Sequence, residues 1–87
     1  MTTDDCLSVL LIDSNDIDRN YYADRLQQHS SEYVVQLAAT GQDGLEIYQT
    51  QPIDCVVLEM DLTDMSGFEV LVRLVPVASK PKWPLSF

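Results

Sequence analysis

The chain has few basic residues: five lysines and arginines stand against 14 aspartates and glutamates, for a formal net charge of −9 over 87 residues. A surface of this sign repels phosphate backbones and anionic lipid headgroups, which disfavours binding to nucleic acid or to a membrane. No apolar run approaches the roughly 20 residues that span a bilayer. The first residues contain no basic group and therefore do not resemble a secretory signal peptide. We expect a cytoplasmic protein.

Residues that bind metals or carry redox chemistry are also scarce, with two cysteines and one histidine in the chain. Cys6, Cys55 and His29 lack the spacing of zinc ligands. Both cysteines adjoin apolar runs, where a free cysteine behaves as a small hydrophobic residue, and a reducing compartment disfavours a disulfide. The sequence contains neither a glycine-rich phosphate loop nor a nucleophile elbow. We therefore interpret both cysteines as structural.

Short apolar runs alternate with segments of helical character along the chain. Strands are predicted at residues 7–12, 33–38 and 54–58, and helices at residues 16–29, 41–50 and 66–75. Alternation of this kind predicts an α/β fold in which helices cover both faces of a doubly wound parallel sheet. The length allows a single domain over residues 1–87.

The last predicted helix has the clearest apolar stripe of the chain. Four residues at helical spacing form it, namely Phe68, Leu71, Val72 and Val75. Pro76 is expected to end this helix, because proline lacks the amide hydrogen that the helix needs. Residues 7–75 are thus the predicted core of the domain. Residues 76–87 form a proline-rich connection that leads, at residues 84–87, into the start of a fourth strand.

Acidic residues follow two of the predicted strands. Asp13 and Ser14 follow the first, and Glu59 and Asp61 follow the third. In parallel α/β sheets the functional crevice lies at the carboxyl ends of the strands, so these side chains are expected to converge there. Carboxylate oxygens suit Mg²⁺. The alternative is that polar residues follow buried strands only because the chain must leave the core, and spacing alone favours this alternative.

Three segments resemble the response-regulator receiver family of two-component signalling. Residues 9–15 (VLLIDSN) look like the family's first strand and its acidic pair. Residues 38–46 (AATGQDGLE) look like the segment that leads into its second helix. Residues 52–71 (PIDCVVLEMDLTDMSGFEVL) are similar to its third strand, acceptor loop and third helix. The resemblance covers residues 7–75 and implies an incomplete flavodoxin-like fold, a cytoplasmic signalling role, and a histidine kinase or an output domain as partner.

The departures from the family pattern concern its chemistry. Ser14 replaces the second member of the acidic pair, and Glu59 stands where an aspartate accepts the phosphoryl group. Thr63 stands where the family usually has proline. The chain also ends at Phe87, before the family's Ser/Thr and Lys positions, so we expect a C-terminally truncated domain. The resemblance implies an Mg²⁺ site at Asp13, Glu59 and Asp61, in which the backbone carbonyl of Asp61 supplies a ligand.

Three hypotheses remain open from the sequence. The first is a degenerate receiver, or pseudo-receiver, that is not an enzyme and acts through protein–protein contacts, with Glu59 either imitating a phosphorylated aspartate or merely filling the site. The second is a receiver that is phosphorylated despite Glu59. The third is a small Mg²⁺-dependent phosphohydrolase that uses Asp13 as its nucleophile. Such enzymes usually have a second aspartate two residues after the nucleophile, and Asn15 at that position disfavours this hypothesis. An uncovered sheet edge or helix face also predicts a homodimer or a longer parent protein.

Overall fold

Three strands and three helices alternate in the computed structural model, which describes residues 7–78. The elements are β1 (Leu7–Ile12), α1 (Asp16–His29), β2 (Tyr33–Ala38), α2 (Gly41–Thr50), β3 (Cys55–Leu58) and α3 (Gly67–Ala78). The strands are parallel in the order β2-β1-β3. The predicted α/β class is confirmed, as are the bounds of β1, β2, α1 and α2. Cys6 and the proposed fourth strand lie outside the described residues.

Strand β1 is the centre of the sheet and of the core. Its last four residues are buried because it has a hydrogen-bonded neighbour on each side. Ile12 lies opposite Ala38 on β2 and opposite Leu58 on β3, so the three strands end at the same edge of the sheet. One core cluster is made of buried residues from β1, β2, α2 and α3, namely Leu10, Ile12, Ala38, Leu45, Val70 and Leu74. This register places the residues that follow β1 and β3 side by side.

Polar caps start each helix soon after the preceding strand. The Asn15 side chain accepts the Asp18 amide at 3.0 Å, and the Thr40 hydroxyl accepts the Asp43 amide at 3.0 Å. The Ser66 hydroxyl accepts a hydrogen bond from the Glu69 amide at 3.1 Å. Because each cap satisfies an amide that has no partner within the helix, the chain can turn back into a helix within a few residues. The loops at the carboxyl edge of the sheet are therefore short and anchored.

The predicted end of α3 at Pro76 is wrong, since the helix runs from Gly67 to Ala78. A proline inside a helix removes one backbone hydrogen bond and favours a kink, but the turns on either side keep their own bonds. The expectation that proline forbids a continuous helix at this point was therefore too strict.

The apolar stripe that identified α3 in the sequence is not the face that packs into the core. Phe68 is 63% exposed and Leu71 is 47% exposed, whereas Val70 is fully buried and Leu74 is 6% exposed. Residues 67, 70 and 74 also share helical spacing, and the helix is apolar around most of its circumference. Periodicity identifies apolar faces but does not say which one meets the sheet. The face that contains Phe68 is left uncovered by the described residues.

Strand β3 has a neighbour on one side only among the described residues. Cys55 on this strand is a free, exposed cysteine, and Val57 is 39% exposed. The interpretation of Cys55 as a structural hydrophobic residue gains no support from burial here, because among the described residues β3 lacks the second neighbour that buries β1. Self-association through this edge stays a prediction. Within residues 7–78, no helix has the length and apolar character of a membrane span.

Candidate functional site

The loops after β1 and β3 enclose a pocket of about 340 Å³ at the carboxyl edge of the sheet. Its lining residues are Asp13, Ser14, Asn15, Asp18, Glu59, Asp61 and Thr63. The structure thus brings together all four residues that the sequence placed at this edge. Asp18, in the first turn of α1, and Thr63 were not predicted as members of the site. Acidic residues in the first turn of α1 were the available signal for Asp18, since such residues lie beside the strand end that precedes the helix.

Asp13 is the buried acid of the pocket, with 3% of its surface exposed. Its backbone amide donates to the Ala38 carbonyl oxygen at 3.0 Å, which extends the pairing of β1 and β2 by one residue. Its carboxylate oxygen Oδ1 accepts the Asn15 amide at 2.9 Å, and its carbonyl oxygen accepts Arg19 Nη1 at 2.7 Å. These contacts fix both the backbone and the carboxylate, so Asp13 presents its second carboxylate oxygen in a defined direction.

Glu59 lies on the opposite side of the pocket and is exposed. Its backbone is held by the hydrogen bond from its amide to the Ile12 carbonyl oxygen, at 2.9 Å. Its carboxylate oxygen Oε2 accepts the Asp61 amide at 3.3 Å, so the side chain turns back onto its own loop. The backbone of Glu59 therefore occupies a fixed position at the end of β3, while its carboxylate lies along the loop that follows.

Ser14 connects the loops around the pocket. Its hydroxyl donates to the Ala39 carbonyl oxygen at 2.9 Å and accepts the Thr63 amide at 3.1 Å. The Thr63 hydroxyl lies 3.5 Å from the same oxygen. From the sequence, Ser14 stood out only because the family has a carboxylate at that position, and Thr63 only because the family usually has proline there. Their contact spans 49 positions of the chain, which no local pattern predicts.

Asp64 joins the loop after β3 to the start of α2 and was not predicted. Its two carboxylate oxygens accept the amides of Gly41 at 2.9 Å and Gln42 at 3.0 Å. These two hydrogen bonds lower the pKa of Asp64 from its ordinary value of 3.8, and the bond from Gly41 has the larger effect. A carboxylate suits this position because the N-terminus of a helix attracts negative charge.

Replacement of Asp64 by asparagine is expected to lower the thermal midpoint of unfolding at neutral pH. Because the pKa of Asp64 is lowered in the folded protein, its contribution is complete above the unfolded value of about 3.8 and is lost as the pH falls through the folded value. The difference between the wild type and Asp64→Asn should therefore shrink below about pH 4. Thermal unfolding between pH 2 and pH 7 measures this, with Asp24→Asn on the surface of α1 as control. A difference that stays constant with pH would contradict the assignment.

Asp13, Glu59 and Asp61 line one pocket, and carboxylate and carbonyl oxygens are the hard ligands that Mg²⁺ prefers. Ser14 adds only a neutral hydroxyl that already has two partners. Among residues 7–78, no three side chains of His, Cys, Asp or Glu are gathered closely enough to hold a metal ion. The donor types fit Mg²⁺ better than their arrangement does, and binding of Mg²⁺ by these three residues stays a prediction.

A flavodoxin-like parallel sheet with an acidic pocket at its carboxyl edge defines the class of this protein. The model of the family described as response regulator receiver domain matches residues 9–85, and the chain belongs to this family. The predicted resemblance is thus confirmed. Receiver domains serve signal transduction and typically bind Mg²⁺ at their acidic pocket. No curated protein sequence matches the chain significantly.

Solved structures show the same fold. A CheY-like receiver domain protein from Methanospirillum hungatei JF-1 superposes with a TM-score of 0.72 at 22% identity, over 84% of this chain and 57% of that one. The non-phosphorylated HemR receiver domain from Leptospira biflexa gives 0.70 at 28% identity, over 79% and 54%. A chain from the complex of the histidine kinase ThkA with the response regulator protein TrrA gives 0.73 at 23% identity, over 79% and 58%. The chain thus spans little more than half the length of these relatives.

Proposed function

We propose that this receiver domain is a cytoplasmic signalling module of a two-component or phosphorelay system that works through protein–protein contacts, with impaired or absent phosphorylation. The proposal rests on the residue at the position where receiver domains accept the phosphoryl group. Glu59 occupies it, and its carboxylate accepts the Asp61 amide of its own loop. The second acid of the pocket is replaced by Ser14, whose hydroxyl already joins Ala39 and Thr63.

Both features oppose phosphoryl transfer for physical reasons. Glutamate places its carboxylate about 1.5 Å further from the backbone than aspartate does, which is one C–C bond, and a misplacement of about 1 Å can cost on the order of a hundredfold in rate. Phosphoryl transfer also depends on neutralising the charge of the transferred group, chiefly with Mg²⁺. With Ser14 in place of an acid, the pocket has one carboxylate fewer to hold that cation.

Contact with another protein is supported by the apolar surface that the described residues leave open. Ile17 on α1 is 80% exposed, Phe68 on α3 is 63% exposed and Met60 is 51% exposed. Large apolar side chains at a surface are candidate contacts for a protein partner. We propose a histidine kinase or an output domain as the partner, and one solved structure of the same fold is a complex with a histidine kinase. A second copy of the chain at the open edge of β3 is the alternative.

The test is to incubate the full chain with Mg²⁺ and a small acyl-phosphate donor and to measure its intact mass. We expect no stoichiometric phosphorylation. The control is Glu59→Gln, which removes the acceptor carboxylate and keeps the shape of the side chain, so any label shared with this variant is not on Glu59. Stoichiometric phosphate on Glu59 would overturn the proposal in favour of a working receiver.

Hydrolase activity through Asp13 is disfavoured by the geometry of that residue. A nucleophilic carboxylate must reach the substrate, and Asp13 is 3% exposed with Oδ1 engaged by the Asn15 amide. We propose that the chain is not an enzyme, in line with the signalling role of its family. A phosphatase assay with a generic phosphate ester tests this, and turnover that is lost in Asp13→Asn would revive the hydrolase hypothesis.

A further inference from the structure

A single oxygen atom joins all three loops at the carboxyl edge of the sheet. Ser14 Oγ belongs to the loop between β1 and α1 and donates to Ala39 in the loop between β2 and α2. The same atom accepts the amide of Thr63 in the loop between β3 and α3. We propose that Ser14 is a positioning residue whose hydroxyl fixes the Glu59–Asp61 side of the pocket without a bound cation.

The roles of the hydroxyl follow from its chemistry. A serine hydroxyl has one proton to donate and two lone pairs to accept with. Its proton is used on the Ala39 carbonyl oxygen, so a lone pair is available to the Thr63 amide. An aspartate at position 14 would have no proton for Ala39, and its charge would face a carbonyl oxygen. A carboxylate there could still accept the Thr63 amide but could not donate to the Ala39 carbonyl oxygen, so the serine joins all three loops without a cation and the carboxylate does not.

Thr63 completes the arrangement through its backbone. A proline at this position would have no amide hydrogen and could not donate to Ser14. The two departures from the receiver pattern at positions 14 and 63 are therefore one change with two parts, because each supplies what the other requires. The pair Ser14–Thr63 holds the loop whether or not Glu59 accepts a phosphoryl group, so this inference goes beyond the proposed function and is tested without phosphorylation.

Asp64 acts beside this junction on the same loop. Its carboxylate binds the first amides of α2, one residue after the point where Ser14 binds Thr63. The loop is thus attached on one side to β1 and on the other to α2. Two independent attachments hold the path of this loop, and they make the contribution of Ser14 separable from that of Asp64.

Amide hydrogen exchange of the full chain, measured by NMR with a metal chelator present, tests the role of Ser14. We expect the Thr63 amide to be protected without any cation, and Ser14→Ala to speed its exchange by about tenfold, the upper range for loss of one hydrogen bond. Exchange of the Ile12 amide in the sheet should stay unchanged. Ser14→Thr keeps the hydroxyl and should restore protection of the Thr63 amide. Thr63→Ala keeps the backbone amide and removes only the side-chain hydroxyl. Because that hydroxyl contact is long, the exchange rate of residue 63 should change by less than about twofold.

Two results would overturn the inference. The first is a Thr63 amide that exchanges at the same rate in the wild type and in Ser14→Ala. The second is a Thr63 amide that becomes protected only when millimolar Mg²⁺ is added, since a cation and not Ser14 would then position the loop. Neither result bears on whether Glu59 is phosphorylated, so the two proposals fail independently.

A double-mutant cycle measures the coupling of the pair. Ser14→Ala, Thr63→Pro and the double variant are compared by their unfolding equilibrium constants in urea. Thr63→Pro already removes the amide hydrogen. Ser14→Ala should therefore raise the unfolding equilibrium constant by a factor that is about fivefold smaller in the Thr63→Pro background than in the wild type. Additive effects would contradict the coupling. If Thr63→Pro does not fold, the exchange measurement on Ser14→Ala and Ser14→Thr decides the question alone.

Discussion

Gly67→Ala is expected to destabilise the protein by about 1–3 kcal/mol, the usual cost of forcing extra atoms into a packed site. A Cβ at this position would lie 2.5 Å from the Glu59 carbonyl oxygen and 2.7 Å from Met60 Cα. Both are backbone atoms, so no side-chain rotation relieves the overlap. The Gly67 amide also donates to the Met60 carbonyl oxygen at 2.7 Å, which ties the start of α3 to the loop. Relief therefore requires the loop that carries Glu59 to move.

Gly41→Ala is the matched control, because it makes the same change in the first residue of another helix. A Cβ on Gly41 would meet Met65 Cγ at 2.7 Å and Val70 Cγ2 at 2.9 Å, which are side-chain atoms. The unbranched methionine can shift, so Gly41→Ala should cost less than Gly67→Ala. Urea unfolding of both variants gives the comparison. Equal costs would mean that the close approach of Gly67 to the Glu59 backbone does not constrain the loop.

Some features of the fold follow directly from the sequence. Strand β1 reads as a buried strand because almost every residue is apolar, and its central place in the sheet is the reason for that composition. Parallel strands end at a common edge, so the sequence placed Asp13 and Glu59 at the same edge of the sheet. That β1 and β3 are neighbours, which brings the two residues into one pocket, is seen only in the structure.

Features that depend on distant partners were not predictable. The stripe from Phe68 and the face from Val70 on α3 are equally apolar, and only contact with the sheet distinguishes them. Asp64 and Thr63 read as ordinary loop residues, because their partners lie more than 20 positions away. A polar residue can cap its own helix by local spacing, as Thr40 does, but the capping of α2 by Asp64 depends on the packing of two loops.

Glu59→Asp is expected to raise the rate of phosphorylation at position 59 by on the order of a hundredfold, because it shortens the side chain by about one C–C bond and so restores the family's spacing between backbone and carboxylate. The backbone of residue 59 is held to Ile12, so the shorter side chain starts from the same point. Labelling by an acyl-phosphate donor with Mg²⁺, followed over time by intact mass, measures the rate. A rate equal to that of the wild type would contradict the positional argument.

Adding Ser14→Asp to Glu59→Asp separates two obstacles to phosphorylation, namely the length of the Glu59 side chain and the missing carboxylate at position 14. The second carboxylate should increase labelling further only when Mg²⁺ is present, because it supplies a metal ligand. Without Mg²⁺ the same change should loosen the loop, since it removes the hydroxyl that joins Ala39 and Thr63. Mg²⁺ should therefore raise the thermal midpoint of the double variant more than that of Glu59→Asp. If Mg²⁺ affects both variants equally, position 14 does not contribute to cation binding.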